Sequence, residues 1–289
     1  MRRYNAADMS SHPFRIVNVF TQDHGSLTGN PLCVFEHAAD FDTATMQALA
    51  LQFNLSETTF ISPSTVGDAR VRIFTPTYEM GFAGHPTLGT AHVCRALGLG
   101  GDSLRLEMQA GLISVMAHGS RWTLAAPAAT WRELDVPVAS LALALGLDKD
   151  DIGERPLWVR AGIEQLIVPL RSADAVRRVS PRAEAFVGIQ SDRGHSMAYV
   201  FASTGVERIL ARFFFPQGPA LLEDPATGSA TANFGAWCVA MGQPLPLHHE
   251  ISQGAMVGRP STLHLDVGRD NEIRVSGDVV ELARGVVTL

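Results

Sequence analysis

Residues 223–231 read EDPATGSAT and residues 84–92 read GHPTLGTAH. Each stretch sets a proline inside a run of very small residues, with an ionisable side chain directly before the proline. Aligned on Pro86 and Pro225, Gly89 falls on Gly228, Thr90 on Ser229, Ala91 on Ala230, and His85 on Asp224. One short phrase therefore occurs twice at a constant offset, and the chain reads as a duplication of a single unit.

The flanking sequence supports that reading. FRIVNVF at 14–20 alternates apolar and polar positions as a strand does, TGNP at 28–31 marks a turn, and LCVF continues as a second strand. A helix is expected from Thr43 to Phe53, capped by Asp42 or Thr43, ending before NLSETTF. ARVRIFTP and ERILARFFFP are strands that lead into a proline-containing loop and then a helix rich in small residues. LRLEMQAGLISVMA and RWTLAAP follow the first helix, and STLHLDV and EIRVSG follow the second. Strand, loop, helix, strands thus occurs twice, as in an α+β protein with two similar halves. The expected halves are 1–127, with a central helix near 86–97, and 128–289, with a central helix near 225–241, the C-terminal strand being able to return to the first half.

Neither small-residue helix has the charged stripe of a surface helix, so both are expected to be buried among strands. Proline suits the first helical position, which would put His85 and Asp224 near the two N-caps. Free N–H groups and the positive end of the dipole lie there. If the halves face each other, the two helix starts meet at a cleft suited to an anion, most simply a carboxylate. Taken singly, an aspartate before proline is a common cap, a lone histidine is more often structural, and Glu57 in NLSETTF could be an ordinary surface acid. The matched placement of His85 and Asp224 argues for more. His92, Asn233, Cys94 and Cys238 are read as helix-core residues.

Composition removes whole classes of function. The 289 residues are 46% hydrophobic and 18% charged, enough for one large core or two ordinary ones. A net charge of −6 gives no footprint for nucleic acid or an anionic membrane, so a small molecule is the expected partner. The three cysteines, Cys33, Cys94 and Cys238, form no disulfide framework and indicate a reducing compartment. The opening MRRYNAADMSSHPF has no apolar segment, and no run is long enough to span a membrane. A cytoplasmic location is the resulting expectation. The single lysine, Lys149 in GLDKDD, leaves neither a P-loop nor a Schiff-base lysine. GLGG at 98–101 follows a helix and reads as a turn, and His248-His249 lies in a proline-rich stretch expected to be a loop. No metal site and no organic cofactor are expected.

The phrases VFT…GNP (19–31), NLSETTFI (54–61), RIFTPTYEMGFAGHPTLGTAH (72–92), EDPATGSA (223–230), QGAMVGRPS (253–261) and VSGDVVELARGVVTL (275–289) together resemble the PhzF family of phenazine biosynthesis. The resemblance implies the diaminopimelate-epimerase-like fold: two similar domains, each a mostly antiparallel sheet curled round a central helix, with the site between them. It implies that Glu57 is the general acid/base, that His85 and Asp224 complete the catalytic set, and that Ser56, Gly84, Gly228 and Ser229 hold the substrate. The family's best-defined reaction is isomerisation of trans-2,3-dihydro-3-hydroxyanthranilate, without metal or organic cofactor, and its members are commonly homodimers. Two other readings are a non-catalytic metabolite-binding protein and an epimerase of the same fold. The epimerase would need a cysteine at each helix start, where this chain has Ala83-Gly84-His85 and Glu223-Asp224.

Overall fold

A computed structural model describes residues 10–218 and 220–289. Most of the opening stretch read above as lacking an apolar segment, through Met9, lies outside the described residues. The protein is mixed α/β, and the chain divides into two compact units. Unit 1 comprises the chain up to Val19, Pro31–Trp122 and Val279–Leu289; unit 2 comprises Phe20–Asn30 and Thr123–Asp278.

Unit 1 begins with β1 (Ser11–Val19) and β2 (Asn30–Phe35), then α1 (Thr43–Phe53), β3 (Glu57–Ser62) and β4 (Ala69–Phe74). The short β5 (Glu79–Met80), α2 (Gly84–Ala96), and the hairpin of β6 (Ser103–Met108) and β7 (Gly111–His118) follow, and β8 (Arg121–Ala125) leaves the unit. Asp42 caps α1 by accepting from the Thr45 N–H at 2.8 Å, and Asn54 ends it in a left-handed conformation. The pairs β3–β4 and β6–β7 are antiparallel. β2 runs parallel to β3 across α1, and β4 parallel to β6 across α2, because parallel neighbours need a long crossover.

In unit 2, β9 (Thr130–Glu133) and α3 (Val138–Leu145) lead to the hairpin of β10 (Leu157–Ala161) and β11 (Ile163–Pro169). The chain continues through α4 (Ala173–Arg178) and α5 (Ala183–Phe186) to β12 (Ala198–Ser203), β13 (Arg208–Gln217) and β14 (Ala220–Asp224). Then come α6 (Gly228–Ala240), β15 (Leu247–Gln253), β16 (Ser261–Val267) and β17 (Ile273–Thr288). β11 is parallel to β12 across α4 and α5, and β13 to β15 across α6, with antiparallel pairs between. From β2 to β7 and from β11 to β16 the successive pairs are parallel, antiparallel, parallel, antiparallel. β17 serves both: its first residues pair with β16 and its last with β1.

The core of each unit lies where helices cover strands. In unit 1, α1 lays Met46, Leu49 and Ala50 on Cys33, Phe35, Phe60 and Phe74, with Phe35 and Phe60 stacked at 5.0 Å. In unit 2, α3, α4 and α5 cover Trp158, Leu166, Val168 and Val200. Burying a side chain of this size contributes about 1.5–3 kcal/mol.

The small-residue helices are buried as expected. α2 packs on β1, β3, β4 and β6, and α6 on β10, β11 and β16. A Cβ at Gly89 would lie 2.6 Å from Leu32 Cδ2 and 2.9 Å from Val19 Cγ2, so the close approach of helix and strands requires glycine there.

Three local expectations need correction. Proline does not open either helix: α2 starts at Gly84 with Ala83 as N-cap and holds Pro86 inside its first turn, whereas Pro225 precedes α6, whose N-cap is Thr227. His85 is therefore a helical residue, and Asp224 is the last residue of β14. The shared phrase does not mark equivalent helical positions. Each strand that leads to these helices first makes a hairpin, β4 with β5 and β13 with β14. His248 and His249 lie in β15, not in a loop, because that segment finds a partner in β16 that local composition does not reveal.

Candidate active site

In unit 1, Glu57 opens β3 two residues before Thr59, so both side chains leave the strand on the same face. The Thr59 hydroxyl meets that of Thr90 on α2 at 2.8 Å, both fully buried. This contact turns the Glu57 face of β3 toward α2, whose first turn carries His85. His85 Nδ1 stands 3.2 Å from Glu57 Oε2, with the histidine side chain 6% exposed and the glutamate 16%. Burial pushes the imidazole down to about 4, against the opposing pull of the Pro31 carbonyl. At neutral pH the pair is accordingly a neutral imidazole beside a carboxyl group, not a salt bridge.

Ser56, directly before Glu57, is exposed, and Gly84 at the start of α2 is half-buried. Sequence reasoning missed Tyr78. Desolvation, and then the charge of Glu57, hold its phenol above the ordinary value, so it shares the glutamate's surroundings. Its position in TPTYEM carried no periodic signal.

In unit 2 the two adjacent acids of EDPATGSAT have different fates. Successive strand residues point to opposite faces, and Glu223 meets the Arg212 guanidinium twice, at 3.1 and 2.7 Å. That ion pair is nearly buried, with side-chain exposures of 11% for Arg212 and 8% for Glu223. Asp224 has neutral donors instead. Thr227 donates its hydroxyl to Oδ2 and Asn30 donates Nδ2 to Oδ1 at 3.0 Å. Gln253 braces the group by donating to Thr227 Oγ1 at 3.0 Å and to the Asp224 carbonyl at 2.9 Å. Burial raises the Asp224 carboxyl to about 6; the hydrogen bonds from Thr227 and Asn30 oppose the rise, and the charge of Glu223 adds to it. A carboxyl group that titrates near neutrality can exchange protons with a ligand. Asn30, Thr227 and Gln253 were not found from sequence. Asn30 lies 194 residues from Asp224, and only its place in TGNP, read as a turn, marked it.

Gly228 and Ser229 open α6. A Cβ at Gly228 would come within 3.2 Å of the Phe20 ring. Ser229 is half-buried, whereas every other residue from Ala226 to Cys238 is buried. The cysteines are buried and unbonded. Desolvation pushes the Cys94 and Cys238 thiols up to about 12 and raises Cys33 as well, which makes them poor proton acceptors. Among the described residues no cluster of three or more His, Cys, Asp or Glu could hold a metal ion, and no helix is long and apolar enough to cross a membrane.

Unit 1 thus holds a carboxyl group beside a neutral imidazole, and unit 2 a buried carboxyl group with a raised pKa. Comparison with known proteins gives the chain a family. The family model for phenazine biosynthesis-like proteins matches residues 17–285, and the chain belongs to that family. The trans-2,3-dihydro-3-hydroxyanthranilate isomerase of Pseudomonas fluorescens is 36% identical over 297 residues, covering 96% of this chain and 100% of its own. The protein is an isomerase of the PhzF family. The crystal structure of a Bacillus anthracis PhzF-family protein matches with a TM-score of 0.85 at 23% identity, over 97% of this chain and 100% of the other. A hydroxyproline epimerase from Agrobacterium vitis has the same general fold, with a TM-score of 0.62 at 11% identity over 96% and 93% of the two chains.

Proposed function

We propose that the protein is a cofactor-independent isomerase that shifts a proton on a small, cyclic, carboxylate-bearing substrate, as the trans-2,3-dihydro-3-hydroxyanthranilate isomerases do. The observation that carries this reading is the pairing of Glu57 with a buried, neutral His85 at 3.2 Å. Glu57 takes a proton from one ring carbon and returns one to another, passing through a carbanion-like transition state. An imidazolium beside it would stabilise the carboxylate and weaken it as a base. A neutral ring lets the carboxylate keep its basicity. Asp224, with its raised pKa, is assigned to the same reaction as a second proton-handling group, and Ser56, Gly84, Gly228 and Ser229 to holding the substrate.

The fine architecture expected of the family, two pseudosymmetric domains with central helices near 86–97 and 225–241, belongs to this proposal and is supported by the strand order repeated in the two units. A homodimer is proposed on the same resemblance, with sedimentation velocity as its check, and so is a cytoplasmic location. The test of function is to incubate the protein with trans-2,3-dihydro-3-hydroxyanthranilate and follow the ring protons by NMR, with diaminopimelate and proline as controls. The reading requires a rearranged ring spectrum with the first compound and none with the controls, and activity that persists in EDTA. Epimerisation of either amino acid, or zinc-restored activity after chelation, would replace it.

A further inference from the structure

The buried amide of Asn233, read from sequence as an ordinary helix-core group, begins a hydrogen-bond relay whose direction is fixed. The Ala161 backbone N–H can only donate, and it lies 2.6 Å from the Asn233 side chain, so the acceptor there is Oδ1. Asn233 Nδ2 then faces two acceptors, the Ile163 carbonyl at 3.0 Å and Gln165 Oε1 at 2.8 Å. With Oε1 so engaged, Gln165 presents Nε2 to Ser229 Oγ at 3.1 Å. Asn233 is fully buried and Gln165 is 2% exposed, so neither amide can turn over without leaving a buried polar group unmatched, which costs about 1–3 kcal/mol.

The first links have a structural purpose, since Asn233 holds the two ends of the β10–β11 turn, where Gly162 has φ +106°. The last link does not share it. Ser229 is one helical turn before Asn233, on the same face of α6, and is the half-buried residue of an otherwise buried stretch. A hydroxyl has one proton to give. Gln165 occupies an acceptor site on Oγ, and among the described residues the Ser229 hydroxyl donates to none.

We propose that Gln165, held by Asn233, is a positioning residue that sets Ser229 as a hydrogen-bond donor to a carboxylate oxygen of the ligand. The ligand's class rests on the function proposed above; the polarity of Ser229 rests on the relay. Two substitutions separate polarity from packing. Gln165→Met keeps the volume and removes the donor. Gln165→Glu keeps the connections but accepts from Ser229, so that the hydroxyl points inward and a negative charge stands behind it.

The probes are anthranilate and its neutral counterpart 2-aminobenzamide, titrated calorimetrically at pH 7 into the full-length protein. Anthranilate affinity should fall roughly tenfold in Gln165→Met and by about a hundredfold in Gln165→Glu, about 1.4 kcal/mol for each factor of ten, while 2-aminobenzamide changes less than threefold. In turnover assays KM should rise with kcat nearly unchanged, the mark of lost uniform binding. In a Ser229→Ala background Gln165→Met should add nothing, because its effect passes through that hydroxyl. The proposal is overturned if both Gln165 variants bind anthranilate as the wild type does, if anthranilate and the amide weaken equally, if the wild type binds no anthranilate, or if the two substitutions are additive. These binding outcomes do not depend on Glu57, so a protein that binds the carboxylate as described but leaves the cyclic substrate unchanged would refute the isomerase reading alone.

Discussion

Glu57 and Asp224 are both partly buried carboxyl groups, yet their partners differ and so do the tests they admit. Replacing Glu57 with Gln keeps its size and removes the proton acceptor. Turnover should fall by about 10²–10⁴, the usual range for loss of a general acid/base, while anthranilate affinity in calorimetry stays within about threefold. For Asp224 the raised pKa makes a statement about stability. Its folded value near 6 lies above the ordinary carboxylate value of about 4, so between these pH values the folded protein keeps a proton that the unfolded chain releases. Stability from this group is fully present below about pH 4 and is lost as pH rises through about 6, by at most about 3 kcal/mol. Urea denaturation of the wild type and Asp224→Asn at several pH values should show the wild type losing ground to the variant over that interval, with a constant difference above pH 7. A difference that does not change with pH would mean that Asp224 is not the group that titrates. His85 runs the other way: its lowered value means that stability present above about 6.5 is lost as pH falls through about 4, and ¹⁵N NMR should find its ring neutral at pH 6.

At the scale of elements, α2 and α6 are positioned by what they lack. Gly89 brings α2 against Val17, Val19 and Leu32, and the Thr59–Thr90 contact then sets the Glu57 face of β3 toward the turn that carries His85. Gly89→Val should cost about 1–3 kcal/mol through overpacking, measured as a lower urea midpoint with unchanged slope. It should also lower activity in the fraction that stays folded, because helix and strand can no longer keep their register. Unaltered stability would show that the Leu32 side chain yields freely. Features governed by neighbours in sequence were legible beforehand, such as the Asp42 cap of α1 and the turn after α2. Features governed by distant pairing were not. LWVRA and IEQLIVP, which form β10 and β11, show no alternation of apolar and polar residues, and α4 and α5 are too short to show helical periodicity. His248 and His249 became strand only through β16.

For the whole molecule, the repeated phrase suggested a duplication, and the chain divides into two compact units in each of which a parallel, antiparallel, parallel run of strand pairs occurs. It also misled in detail, since proline sits inside one helix and ahead of the other. The proposed site residues that carry a motif, Glu57, His85 and Asp224, stand out in the chain alone. The amides that brace Asp224 and Ser229, those of Asn30, Gln253 and Gln165, do not, because an amide anchored from a remote strand leaves no local mark. The central claim is that the protein moves a proton by means of Glu57, and one experiment in deuterated water tests it most directly. With the proposed cyclic substrate, NMR should show the wild type placing deuterium on the ring carbon that receives the proton, and Glu57→Gln placing almost none in the same time. Deuterium incorporation by the variant at the wild-type rate, or a substrate left unlabelled and unchanged by the wild type, would contradict the account.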